Sequence, residues 1–309
     1  MSGIIEPTRL GRAYRPVPGR PGIVRPLLMV VLLAAGCAGL PTGRFDALAT
    51  AAKGVETRTT ETDADIVQLT RRFMLFSPAP GPYTVSSFAP TIDIDGAKHD
   101  FDFGPRLEPR RAALDVLVAY TEALAAFARK DYQRDLDRAT QNLGGSVQRL
   151  ARHAGVSAPA KQGAGVLATA VNALGRAITD HMRKAALRDA MDTASPGVRA
   201  VAAFAKEIDA EAALAVTVMS NAMIAKGNRL SVSDGVARLV LNERVEAVVV
   251  ESKTILADLK QISTAVDAIP PAHDEIRGSL DLDDRTPLEK LRALIAEVQR
   301  LQKVYSSLK

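Results

Sequence analysis

The sequence predicts a mainly α protein: an elongated antiparallel bundle of about five or six long helices with one small β-hairpin insertion. Three observations predict it. Aromatic residues are only 4% of the 309 residues and Trp is absent, while Ala and Leu dominate the long central segments, a composition that favours packed helices over sheets. Apolar residues recur at steps of three, four and seven over stretches of about 30 residues, the period of a helix that rises roughly 45 Å over that length. The links between these stretches are short, so successive helices run antiparallel.

The first helix is expected from Phe45 to Phe76, with a flexible stalk through Gly54 and Thr57–Thr62 as the alternative for its early part. Three prolines between Pro78 and Pro82 stop it. Residues 83–103 carry the one β signal. A two-residue turn at Asp95-Gly96 sets Ile94 opposite Ala97, Asp93 opposite Lys98 and Ile92 opposite His99. Ile92, Ile94, Ala97, Phe101 and Phe103 then share one face, and Asp93, Lys98, Asp100 and Asp102 the other, as a half-buried ribbon resting on helices requires. A further strand from Tyr83 to Phe88 would extend it.

After Pro105 and Pro109 a helical pattern runs to about His153 through Leu114, Leu117, Leu124, Phe127, Leu136, Leu143 and Leu150. A kink or break is expected at Gly144-Gly145. A loop from Gly155 to Pro159 leads to a helix from about Ala160 to Met191, striped by Leu167, Val171, Leu174, Ile178 and Met182. Ser195-Pro196 reads as the cap and first residue of a helix ending near Lys226, before Gly227-Asn228. Ser231-Val232-Ser233-Asp234 has capping-box spacing and opens a helix to Ala268, stopped by Pro270-Pro271. Thr286, Pro287 and Glu289 open the last helix, which continues through Leu291, Ile295, Val298 and Leu301.

The charge balance excludes a nucleic-acid partner. Net charge is +5, but Arg9, Arg12, Arg15, Arg20 and Arg25 stand against Glu6 alone within residues 1–36. Removing them from the 40 bases and 35 acids leaves 35 against 34, interspersed and without a basic face.

Residues 1–36 read as a targeting segment, with an Arg- and Pro-rich start, an uncharged apolar run from Pro26 to Gly36, and small residues after it. That run is about 11 residues, too short to span a bilayer, which needs roughly 20. Its end, Leu33-Ala34-Ala35-Gly36-Cys37, resembles the lipobox of bacterial lipoproteins, with Ala34 where Leu is usual three residues before the cysteine. The resemblance implies diacylation of the Cys37 thiol and cleavage after Gly36, leaving residues 37–309 as the helical-bundle domain. Cys37 is the single cysteine, so no disulfide forms within one molecule. Two or more acyl chains anchor stably, each buried CH₂ contributing about 0.8 kcal/mol. By the same resemblance, Ala38, in place of Asp, favours the periplasmic side of the outer membrane over the inner membrane.

No catalytic signature accompanies this. His99, His153, His181 and His273 are far apart, and none has a partner at a zinc-motif spacing. His181 sits beside the Ile178 and Met182 stripe, as a packed core histidine would. Asp93, Asp95, Asp100 and Asp102 are weak candidates for a divalent ion, but the oxygen ligands and terminal Glu of a calcium loop are missing. Gly163-Ala164-Gly165 precedes a helix without the strand or third glycine of a nucleotide fold. No cofactor is implied. The uncharged stretch Ala212–Ala225 fits a core helix, or alternatively a membrane-inserting one, at 14 residues too short to cross alone. The expectation is therefore non-enzymatic: a lipid-anchored envelope protein with a structural, scaffold or binding role and an envelope protein as partner. The alternatives are a membrane-active protein of pore-forming type, or a periplasmic enzyme or small-molecule binder built on carboxylates that only folding brings together.

Overall fold

A computed structural model describes residues 40–76, 91–94, 97–100, 103–129, 132–175, 180–230, 234–281 and 289–308. Residues 1–36, expected as a targeting segment, and Cys37, Tyr83–Phe88, Asp95-Gly96, Phe101-Asp102 and Thr286-Pro287 lie outside them. The protein is mainly α. Seven helices occur among the described residues: α1 Thr42–Phe76, α2 Gly104–Ala128, α3 Tyr132–Arg152, α4 Ala158–Leu174, α5 Asp180–Arg229, α6 Gly235–Ser279 and α7 Glu289–Leu308. Two short strands, β1 Thr91–Ile94 and β2 Ala97–Asp100, pair antiparallel with Ile94 opposite Ala97, Asp93 opposite Lys98, Ile92 opposite His99 and Thr91 opposite Asp100.

Each helix forms because its apolar stripe stays in phase. In α1, Phe45, Leu48, Ala52, Val55, Thr59, Thr62, Ile66 and Leu69 are all buried, at alternating steps of three and four. The Thr-rich stretch is therefore helix, not a stalk, and Thr59 Oγ1 donates to the Val55 carbonyl at 2.9 Å, which satisfies the buried hydroxyl. α2 is the central helix. It buries residues on every side, from Leu107 to Ala128, and packs against α1, α3, α4 and α5, as a helix apolar all round must.

Helix boundaries differ from the sequence expectation in four places, so the five or six expected helices become seven. The pattern from Pro109 to His153 is two helices, and the break falls at Arg129, whose backbone is extended at φ −78° and ψ 157°. Gly144-Gly145 continues as helix. At the break the buried Arg183 of α5 donates to the carbonyls of Phe127 and Arg129 and stacks on Phe127 and Tyr132, replacing the partners that the end of α2 lacks. The expected helix from Ala160 to Met191 ends at Leu174, and α5 starts afresh at Asp180.

Prolines do not delimit the long helices. α5 runs 50 residues through Pro196, and α6 runs 45 residues through Pro270 and Pro271. An interior proline costs about 3 kcal/mol, but the buried stripe Leu187, Met191, Ala194, Val198, Val201, Ala205 and Ile208 crosses Pro196 without losing phase. Likewise Ile262, Val266, Ile269, His273, Ile276 and Leu280 cross Pro270-Pro271. Burying a Val- or Ile-sized side chain contributes about 1.5–3 kcal/mol, so a few such residues on each side outweigh the break. The cap of α6 is Asp234, which accepts from Val236 and Ala237 amides, while Ser231 to Ser233 lie outside the described residues.

The helices run alternately up and down. Asp46 of α1 meets Arg129 at the end of α2, and Thr70 near the other end of α1 meets Met219 of α5. α4 crosses α5 at a pair of glycines: a Cβ on Gly197 would lie 2.7 Å from the Gly163 carbonyl oxygen. The Gly163-Ala164-Gly165 sequence thus serves close helix packing. Beyond Met223, and before Val248, the only buried residue among those described is Gly227, so this end of the α5–α6 pair extends past the core.

Candidate functional site

A groove of about 890 Å³ lies between α1, α2 and α3. Its charged lining comes from Asp46, Lys53, Arg58 and Glu61 of α1, Glu122 and Arg129 near and after the end of α2, and Asp135 and Arg138 of α3. Signs are balanced and the ions largely engage one another: Arg129 with Asp46 at 2.7 Å, and Arg58 with Glu61 at 2.6 Å. The hydrogen bond from Lys53 to Glu56, at 2.6 Å, holds its ammonium above the ordinary lysine range. Such a groove offers paired charges to a polar ligand, and no single-sign field.

A second constellation joins α2, α5 and α6. The Tyr120 hydroxyl lies 2.9 Å from Nε2 of His273, and Nδ1 lies 3.5 Å from Oδ1 of Asp274. That carboxylate also accepts from Ser195 Oγ at 2.7 Å and from Arg199 at 2.5 Å. These donors, His273 first, hold the Asp274 carboxyl well below the usual carboxylate range. The order of groups is wrong for nucleophilic catalysis. Ser195 bonds to the carboxylate and not to the imidazole, so only a weak base already held by other donors faces its hydroxyl, and Tyr120 and His273 are both sealed in the core.

A third cluster ties α1, α2 and α5. Arg110 is fully buried and its guanidinium bonds both Asp63 and Asp209. Arg111 approaches the other Asp63 oxygen at 3.1 Å. Burial outweighs the attraction of Arg110 and pushes Asp209 up to about 6, and raises Asp63 as well. Arg110 occupies a core position of the stripe Leu107, Arg110, Leu114 and Leu117, which is a signal the sequence carried. Its two carboxylate partners, 47 and 99 residues away, had no such signal.

Of the candidates read from the sequence, Asp93 and Asp100 sit on β1 and β2, opposite Lys98 and Thr91. Asp95, Asp102 and the side chain of His181 lie outside the described residues. Among those described, no group of three or more His, Cys, Asp or Glu side chains could hold a metal ion. His153 lies 3.9 Å from Glu108. Met182, expected on a core stripe, is exposed because α4 and α5 are separate helices and share no stripe. Ala212–Ala225 is core on one side only. Ala212, Val216, Met219 and Met223 are buried, whereas Leu214 and Val218 are exposed. No protein-family model, curated protein or solved structure matches the chain.

Proposed function

We propose that this chain is an exported, lipid-anchored helical bundle of the cell envelope that serves as a scaffold or binding component. The observation that carries it is the juxtaposition of Leu33-Ala34-Ala35-Gly36-Cys37 with a compact unit, Cys37–Lys309, that holds its own core. The first helix starts at Thr42, so the four intervening residues span at most about 14 Å. Acyl chains on Cys37 would therefore hold the bundle close to the lipid surface. Ala38 favours the outer membrane, with the bundle on its periplasmic side. A helical bundle of this length presents polar flanks suited to a protein partner.

Membrane fractionation of cells expressing the intact chain or Cys37→Ser tests this. The intact protein is expected in the membrane fraction, with a mass matching cleavage after Gly36 plus acyl chains. Cys37→Ser is expected to lose the acyl chains and the cleavage, and to be stripped from the membrane fraction by a high-salt wash that leaves the acylated protein in place. A Cys37→Ser protein that stays membrane-bound and is cut at the same place removes the assignment. Crosslinking in intact cells, followed by mass spectrometry, then identifies the partner.

One observation favours a second reading, a membrane-active protein. The helix Met182–Arg229 is long and apolar enough to cross a bilayer by length and composition. The buried Ala212, Val216, Met219 and Met223 support the core role, because insertion would have to strip them from α6 and α1. Release of a trapped dye from liposomes separates the two: a bundle held only by its acyl chains releases none.

A further inference from the structure

We propose that the projecting end of the α5–α6 pair docks on an anionic bilayer surface. The described residues there combine an apolar face with positive charge. Val236, Leu239 and Val240, spaced one, four and five along the first turns of α6, share one helix face and are 69, 59 and 41% exposed. Leu230, after the end of α5, is 42% exposed. These are four of the eight exposed large hydrophobic side chains among the described residues, gathered at one end of the protein. Over 224–247 the described charges are Lys226, Arg229, Arg238 and Arg244 against Asp234, Glu243 and Glu246, and the positive excess lies toward the tip, where Lys226, Arg229 and Arg238 stand against Asp234. The Asp234 carboxylate is already engaged by the Val236 and Ala237 amides at the start of α6.

The packing explains why this face is left bare. A Cβ on Gly227 would lie 2.5 Å from Cγ2 of Val245, so the two helices meet closely there. α5 then stops at Arg229, while α6 starts at Gly235. The first turns of α6 thus reach past the end of α5, and their apolar side chains stay exposed. Three side chains over two turns, interrupted by Glu243, are too few for a stable protein interface, which buries about 800 Å² on each partner. They suit shallow insertion at the headgroup boundary, where Arg side chains bury their stems and keep the charge among phosphates. Helix α1 starts beside Arg129 and ends beside Glu251, so the chain enters the bundle at the opposite end. The inference does not rest on a tether and stands whether or not Cys37 is acylated.

The test uses Cys37–Lys309 carrying Cys37→Ser, sedimented with vesicles of phosphatidylcholine alone or with 30% phosphatidylglycerol. Binding is expected to be about tenfold tighter to the anionic vesicles, and to fall about tenfold in Val236→Asp/Leu239→Asp and in Arg229→Glu/Arg238→Glu. Both pairs lie outside the core, and unchanged circular dichroism and thermal midpoint would verify the fold. A polarity-sensitive dye on Leu239→Cys is expected to shift to the blue only with anionic vesicles. Equal binding to both vesicle types, no binding, or undiminished binding of both charge-altered pairs overturns the proposal. So does a concentration-dependent dimer in sedimentation velocity that disappears in Val236→Asp/Leu239→Asp without any vesicle binding, since the face would then belong to a second copy.

Discussion

Tyr120 and His273, 153 residues apart, share a 2.9 Å hydrogen bond inside the core, and its direction follows from the carboxylate on the other side of the imidazole. Nδ1 faces Asp274, whose ionised carboxylate can only accept, so Nδ1 is protonated and Nε2 accepts from Tyr120. Tyr120→Phe leaves Nε2 buried without a donor and is expected to cost about 1–3 kcal/mol. Adding His273→Leu should recover part of that loss, because the orphaned acceptor is gone. Urea unfolding of the two single variants and the double variant measures the coupling.

Asp274 gives the fold an acid limit. Its folded pKa lies below the ordinary value of 3.8, so its contribution is present above that value and is lost as pH falls through the folded one. Asp274→Asn is expected to be less stable at neutral pH and to lose less on acidification. Thermal midpoints from pH 7 down to 2.5 check both.

Asp209 works in the other direction. Its folded pKa of about 6 stands above the ordinary 3.8, so the protonated form favours folding. That contribution is full below 3.8 and is lost as pH rises through 6. Asp209→Asn is expected to flatten the stability profile between pH 4 and 7 relative to the parent, by on the order of 2–3 kcal/mol. A profile that keeps its slope in the variant assigns the titration to another group.

Arg110 holds two buried carboxylates at once, so its removal costs more than either pair is worth. Arg110→Met is expected to lose about 3–5 kcal/mol. The combination with Asp63→Asn and Asp209→Asn should be closer to the parent, since no buried charge is then left alone. Urea midpoints at pH 7 compare them.

Gly197 and Pro196 are neighbours with opposite predicted signs. Gly197→Ala places a methyl group 2.7 Å from the Gly163 carbonyl oxygen and must push α4 from α5, at about 1–3 kcal/mol. Pro196 is exposed inside α5, and Pro196→Ala restores a backbone donor there. It is expected to raise stability by about 1–2 kcal/mol, an interior proline costing about 3 against roughly 1 gained from a stiffer unfolded chain. Both are read from urea denaturation.

Periodicity and composition were enough to determine that the chain is mainly α and, for α2 to α4, which apolar residues face inward, though Met182 of α5 faces out. Leu107, Leu114, Leu117, Leu167, Val171, Ile262 and Ile269 are buried, at the spacing a 3.6-residue turn imposes, because that preference is local. Helix ends were not local. Whether Pro196 and Pro270 end a helix depends on what the flanking stripes bury against α4 and α1, and the break at Arg129 depends on Arg183 arriving from 54 residues away. The same holds for the polar groups. That Arg110 sits at a core position is written in its own segment, but Asp63 and Asp209 become its partners only when α1 and α5 fold against α2, and Ser195 meets Asp274 only where two proline-bearing helices lie side by side. Backbone propensity acts over a few residues and so is legible in one segment. Charge pairing and the fate of a proline are decided by whatever the finished packing brings within a few ångströms.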